Sequence, residues 1–268
     1  MMWGMFMIYS FEDDFNLSKT ADSGQCFRFN RITDNTYRTV SQNHVLTIKE
    51  LGENSYELSC DKDEFESFWR NYFDLETSYK SIRKMVTNDS FLTECISRGE
   101  GIRILNQDKW EMLISFIISQ RKSIPAIKTS VERLCALCGN PLSDGVYSFP
   151  DPGQILSASS RLAECGLGYR LDYIKEASEA LYANPNLLND LSSLNDDDLF
   201  EALKEFKGIG DKVASCVALF GYHRLDFFPK DVWIYRALSE KYPNGYNMSL
   251  YAPFNGVMQQ YIFYAYKK

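Results

Sequence analysis

The sequence predicts an α+β protein, with an N-terminal antiparallel sheet and its helices followed by an α-helical core. Two observations carry this. Between Gly24 and Cys60 apolar and polar residues alternate over short stretches, as at Tyr56, Leu58 and Cys60, with turn-prone breaks at Asp34-Asn35, Gln42-Asn43 and Gly52-Glu53-Asn54. From about Asp63 onward the apolar residues recur at helical spacing, and a glycine hairpin, Gly208-Ile209-Gly210, joins two of the helices. The 268 residues suffice for one large domain or two smaller ones. The two parts are drawn at 1–88 and 89–268, with the helix–hairpin–helix at about 196–220 and a C-terminal helix closing the core.

In chain order, the apolar opening from Met1 to Tyr9 lacks a basic flank, is too short to span a bilayer and runs into Glu12-Asp13-Asp14. It reads as a first strand. After the meander, Trp110, Leu113, Ile114 and Ile117 mark a helix that opens on the capping-box pair Asp108 and Glu111. Phe116 and Ile118 make it apolar nearly all round, so it is expected to be central. The next helix starts near Ser123, carries Pro125 in its first turn, aligns Ile127, Val131, Leu134 and Cys138 on one face, and ends at Gly139. Shorter helices are expected around Gln154 to Ala163 and Leu171 to Leu181. Leu199, Ala202, Leu203 and Phe206 then form a stripe ahead of the hairpin, and a second helix runs from Asp211 to about Phe220.

Hydrophobic residues at 45% and aromatic residues at 15% describe a globular chain and argue against disorder. A net charge of -7 argues at first against nucleic acid. From Ile102 to Cys135, however, Arg103, Lys109, Arg121, Lys122, Lys128 and Arg133 outnumber Asp108, Glu111 and Glu132 by three. The acidic residues collect elsewhere, as at Asp196, Asp197 and Asp198. Seven scattered cysteines suggest a reducing, intracellular compartment rather than a disulfide framework. Cys135-Ala-Leu-Cys138 on a helical core face, with only His44 and His223 in the chain, supplies no four-ligand metal set. Neither a metal nor another cofactor is expected.

The run Phe206-Lys207-Gly208-Ile209-Gly210-Asp211-Lys212 between two helices is a helix-hairpin-helix signature. Glycines two apart let the backbone turn sharply and bare N–H groups beside a helix N-terminus, where a phosphate can sit. Most lysines are merely exposed surface residues. Lys212 is set apart by Cys216, one turn further on the same face, and by Asp231 in Pro229-Lys230-Asp231-Val232-Trp233. Asp231 also suits a helix N-cap, and the two roles are compatible.

Hairpin, lysine and later aspartate in this order resemble the catalytic segment of the helix-hairpin-helix DNA glycosylases. Within them, the chain resembles the 8-oxoguanine DNA glycosylase family over nearly its whole length. The matching stretches are Ser23-Gly24-Gln25-Cys26-Phe27-Arg28, Ile114 to Gln120, Val131 to Cys135, Gly166-Leu167-Gly168-Tyr169-Arg170, the hairpin, and Gly256 to Phe263. The resemblance implies a glycosylase/AP lyase that acts on double-stranded DNA containing a damaged purine, without a membrane, as an intracellular monomer. It implies Lys212 as Schiff-base nucleophile and Asp231 as the carboxylate that stabilises the sugar cation. Cys216 and Phe263 match the positions that sandwich the flipped base, Gln259 the one that reads its Watson–Crick edge, and Gly24 the one whose carbonyl accepts the N7 hydrogen of 8-oxoguanine. Tyr169 and Arg170 match a loop that wedges into the stack and contacts the orphan base. Gly208, Gly210 and Arg121 are further expected DNA contacts.

Three departures from the family pattern stand out. Lys207 stands before the first hairpin glycine where the family usually has proline, Trp233 stands where eukaryotic members have a histidine two residues after the aspartate, and Gln120 to Ala126 replaces an Asn-rich stretch and its following arginine. Two other readings remain open: a glycosylase for alkylated purines, which needs the aspartate but no lysine, and a non-catalytic helix-hairpin-helix module that only contacts phosphates.

Overall fold

A computed structural model describes residues 6–143 and 145–267. Its N-terminal part holds β1 (Met7–Ser10), α1 (Leu17–Asp22), β2 (Phe29–Thr33), β3 (Thr36–Ser41), β4 (His44–Gly52) and β5 (Ser55–Leu58). The strand expected over Met1 to Tyr9 is β1, and residues 1–5 of that expectation lie outside the described residues. The strands form one sheet in the order β1-β5-β4-β3-β2. β1 and β4 both pair antiparallel with β5, in a register that sets Tyr9 opposite Tyr56 and Ile48 opposite Leu58. Each expected break is a strand connection. At the last, Gly52, Glu53 and Asn54 are all left-handed (φ 97°, 51° and 56°), which polar turn residues and glycine tolerate best.

The alternation read at Tyr56 and Leu58 is a burial alternation. These rings and methyls pack with Phe29, Leu46 and Ile48 against Phe65, Trp69 and Phe73 from the short helices that follow. Those helices are α2 (Lys62–Glu64) and α3 (Arg70–Tyr72), joined by a π-helical stretch Phe65–Trp69, and then α4 (Tyr79–Arg83) and α5 (Ser90–Gly99).

The middle of the chain holds α6 (Lys109–Ser119), α7 (Ile124–Cys138), a small antiparallel pair β6 (Pro141–Ser143) and β7 (Val146–Tyr147), α8 (Pro152–Ser157), α9 (Arg170–Ala183), α10 (Leu187–Asp190), α11 (Asp196–Lys204) and α12 (Asp211–Gly221). α6 is the central helix the sequence predicts: every residue from Glu111 to Ile118 is buried, and α12, α7 and α9 pack on it. Asp108 caps it by accepting from the Glu111 N–H at 2.9 Å. The helix expected from Gln154 to Ala163 is shorter. Pro152 and a complete capping box between Asp151 and Gln154 start α8 early, and Ala158 leaves the helical region at φ -91°, ψ 11°. A 3-10 turn, Leu162–Cys165, follows and stops at left-handed Gly166.

The chain ends with α13 (Val232–Lys241) and α14 (Asn255–Tyr266). Contacts group the molecule into two units: the chain up to Arg38 with Leu46–Asn106 and everything from His223 on, and Thr39–Val45 with Gln107–Tyr222. The first unit thus joins both ends of the chain, since α14 packs against α5 and α13 against α14. A division at 88/89 follows chain order and does not express that return. No helix among the described residues is long and apolar enough to cross a membrane.

Candidate active site

In the helical unit the hairpin shapes the start of α12. Gly208 is left-handed at φ 82°, and a Cβ on it would stand 2.2 Å from Tyr173 Cδ2. Glycine is required there for both conformation and space. Gly210 is different: it is extended at φ -103°, ψ -178°, and a Cβ would meet nothing within 4 Å. As the N-cap of α12 it offers no side chain to the first-turn N–H groups, which remain open to an anion in front of them. Lys207, at the usual proline position, pairs with Glu176 and so supplies a different brace for the hairpin.

Lys212 is half-buried in the first turn of α12. Its Nζ lies 5.3 Å from the centroid of the Phe116 ring, which is itself stacked on Phe220 at 5.6 Å and 15°. Its neighbour Asp211 is turned to Lys204 at 3.2 Å, and within this unit no described carboxylate pairs with Lys212. The ring holds the side chain in place, and no described carboxylate of the unit occupies its nitrogen. Cys216, one turn on, is buried and reduced.

The same unit carries the loop ahead of α9. Tyr169 is 50% exposed and meets Tyr173 edge-on, and Tyr173 is the ring that underlies Gly208. Arg170 is only 6% exposed; its guanidinium stacks on Tyr169 at 4.4 Å and donates to the carbonyls of Leu167 and Gln120. It therefore faces main-chain oxygens, and contact with an orphan base would require it to leave them. Arg121 is exposed and left-handed at φ 51°. Lys122 donates to Ser130 Oγ at 2.6 Å and to the Gly166 carbonyl at 2.7 Å. Burial, and then the charges of Arg170 and Arg133, hold its ammonium below the usual lysine range.

The other expected site residues belong to the first unit. Asp231 is the N-cap of α13: its Oδ1 accepts from the N–H groups of Trp233 at 3.0 Å and Ile234 at 2.9 Å. Those two bonds fix the carboxylate, whose second oxygen has no hydrogen bond within the unit. At its far end α13 is pinned where Tyr242 donates to Asp89 at 2.7 Å, while the other Asp89 oxygen caps α5. Gln259 is 3% exposed, so it is not a surface amide. Its Nε2 donates to the carbonyl of Pro229, two residues before Asp231, at 3.0 Å, and its Oε1 accepts from Gln260. Phe263 lies one turn further along α14 and stays partly exposed. Gly24 is left-handed at φ 82° between two anchored neighbours. Ser23 donates to the Thr20 carbonyl, and Gln25 both donates to the Arg103 carbonyl at 2.9 Å and accepts from Leu105 N–H at 2.7 Å.

The N-terminal part, residues 7–113, matches the model for the 8-oxoguanine DNA glycosylase N-terminal domain, and residues 114–246 match the HhH-GPD superfamily of base excision DNA repair proteins. A solved structure, MBOgg1 in complex with a low-affinity DNA ligand, is 34% identical, superposes with a TM-score of 0.91, and is matched over 98% of this chain and 96% of its own. The chain belongs to the 8-oxoguanine DNA glycosylase family. A second member, the Clostridium acetobutylicum 8-oxoguanine glycosylase/lyase solved with double-stranded DNA containing cytosine opposite 8-oxoG, is 32% identical over 97% of both chains, with a TM-score of 0.87. The N-glycosylase/DNA lyase of Saccharomyces cerevisiae is 32% identical over 222 residues. The chain spans 76% of its own length in that match and 57% of the yeast protein's.

Against the family pattern, four features of the site escaped sequence reasoning. Phe116 reads as one more apolar residue of a buried helix, and nothing in its spacing marks it as the ring beneath a lysine. Tyr173 does carry a signal, because it stands one helical turn from Tyr169. The bonds to the Pro229 carbonyl and from Lys122 to the Gly166 carbonyl are main-chain contacts between distant segments, for which no residue pattern exists.

Proposed function

We propose that this chain is a base excision repair DNA glycosylase/AP lyase that flips 8-oxoguanine out of duplex DNA and excises it through a Lys212 Schiff base. The observation that carries the reading is Lys212 itself: a lysine at the open end of the hairpin helix, packed on Phe116 and unpaired within its unit. An alkylpurine glycosylase needs no amine there, and a phosphate-binding module needs no aspartate cap with a free second oxygen.

In this reading the bared N–H groups at Gly210 and the first turn of α12 hold a phosphate of the lesion strand. As the bond from C1′ to the base breaks, its electron pair leaves with the base, which takes up a proton. Positive charge grows on the sugar, and the fixed Asp231 carboxylate stabilises it. The Lys212 nitrogen forms the bond to C1′ with its lone pair and gives up a proton; as the C1′–O4′ bond then breaks, O4′ takes up a proton and the nitrogen lone pair closes the C=N bond of the protonated imine. Gln259, already oriented by Pro229 and Gln260, reads the base edge, with Cys216 and Phe263 as its apolar walls. None of the seven cysteines is held in a disulfide, which suits work inside the cell. A monomer is sufficient, because one chain supplies every named group.

Borohydride trapping on duplexes with 8-oxoguanine, an alkylpurine or uracil tests the reading. A covalent adduct is expected with the first duplex and not with the others. Lys212→Ala should abolish both adduct and excision while duplex binding survives. Substantial trapping by that variant would reject Lys212 as the nucleophile.

A further inference from the structure

Two segments of the helical unit grip each other by reciprocal bonds from cations to main-chain oxygens. The turn after α6 offers its Gln120 carbonyl to Arg170, and Lys122 from the same turn takes the Gly166 carbonyl of the loop before α9 at 2.7 Å. A further bond from Lys122 to Ser130 Oγ ties the ammonium to α7. Each segment carries an exposed side chain beside its anchors: Arg121 between Gln120 and Lys122, and Tyr169 just before Arg170.

Backbone preference suits the loop, where the left-handed residues are glycines, but not the turn, where Arg121 is left-handed. Arg121, Gly166 and Gly168 are left-handed at φ 51°, 70° and 60°. The clasp also concentrates positive charge. Arg133 Nη1 lies 3.9 Å from where a Gly166 Cβ would stand, and within the unit none of Arg121, Lys122, Arg133 and Arg170 pairs with a described carboxylate. Cations brought together without a counter-charge repel one another, a repulsion that opposes the bonds to the main-chain oxygens. A polyanion facing them would relieve it.

We propose that Lys122 is a positioning residue that locks the 166–170 loop to the 120–122 turn, so that Tyr169 and Arg121 enter the duplex together where the flipped base has left. The proposal rests on the glycosylase reading and deepens it. Lys122 touches neither sugar nor base in this scheme; it acts through the two side chains it places.

Lys122→Met keeps the side-chain length and removes the ammonium, and Lys122→Arg keeps a donor. Three readouts are compared: amide hydrogen exchange, single-turnover excision from duplex DNA, and borohydride trapping on a single-stranded abasic oligonucleotide, where there is no partner strand to part. In Lys122→Met we expect faster exchange confined to both segments, unchanged trapping on the single strand, and duplex excision slower by about ten- to a hundredfold, as a misplaced positioning group commonly gives. Lys122→Arg should recover most of that loss. Unchanged exchange, or an equal loss on duplex and single strand, overturns the proposal. If the unaltered protein neither excises nor traps, the glycosylase reading falls and takes the duplex-probing role with it, while exchange still decides whether Lys122 locks the loop.

Discussion

Gly208→Ala isolates what the hairpin requires of its first glycine. The new Cβ meets two separate obstacles. At φ 82° an alanine is in the left-handed region, a conformation that disfavours L-residues by roughly 1–2 kcal/mol. It would also stand 2.2 Å from Cδ2 and 2.4 Å from Cε2 of Tyr173, distances at which the ring or the hairpin must move. Overpacking of that kind destabilises by about 1–3 kcal/mol. Together the two give roughly 2–5 kcal/mol, which for a chain of this size is a fall in Tm of roughly 10 °C. A double-mutant cycle separates them. In a Tyr173→Leu background the ring is gone and only the conformational part persists, so Gly208→Ala should then destabilise by about 1–2 kcal/mol. Urea unfolding of the four proteins supplies the numbers. Equal destabilisation in both backgrounds would refute the steric half of the reasoning, and a variant as stable as the parent would refute all of it.

Asp231→Asn should lower single-turnover excision by at least about a hundredfold, because stabilisation of a developing charge commonly supplies that much. Its amide oxygen can still accept from Trp233 and Ile234, so urea unfolding should find the fold intact, and a near-normal rate would sink the assignment. Opposite-base choice should be loose: by the resemblance Ala126, exposed in the first turn of α7, stands where eukaryotic family members carry an arginine that reads cytosine, and one good base contact is worth roughly 1–3 kcal/mol. Single-turnover rates with cytosine, adenine, thymine and guanine opposite the lesion check this, and a cytosine preference of a hundredfold or more would show that Arg121 or another residue has taken over the reading.

What was legible in the sequence is what local physics determines. The meander could be read because turn residues sit where the backbone becomes left-handed, at Gln42 and at Gly52 to Asn54. α6, α7, α11 and α12 could be read because their caps and apolar stripes agree. Asp231 was legible twice over, since one carboxylate both caps α13 and belongs to the motif. Chain order hid the rest. The return of α14 to α5 depends on contacts between residues more than 150 positions apart, so a boundary drawn on changing periodicity cannot anticipate it. The two hairpin glycines look equivalent as letters, yet only Gly208 is demanded by its φ, and Gly210 matters for the room in front of it. Arg170 reads as a base contact and is found facing carbonyls, because a buried guanidinium takes whatever acceptors lie beside it.

The charge pattern shows the same gap between letters and surface. Of the six cations counted between Ile102 and Cys135, Arg103 is 1% exposed and spends its donors on the Phe73, Asp74 and Thr77 carbonyls, and Lys109 is bonded to Asn189. Neither is free to meet a phosphate. Lys122 is likewise bonded to Ser130 and Gly166, and of the remaining cations Arg121 and Arg133 lie beside the loop that carries Tyr169. A chain of net charge -7 is repelled by DNA at long range, but the screening length at physiological salt is only about 8 Å. Inside that distance the local field decides. On the glycosylase reading, Arg121 and Arg133 therefore add to the hold on the phosphates where the strands must be parted.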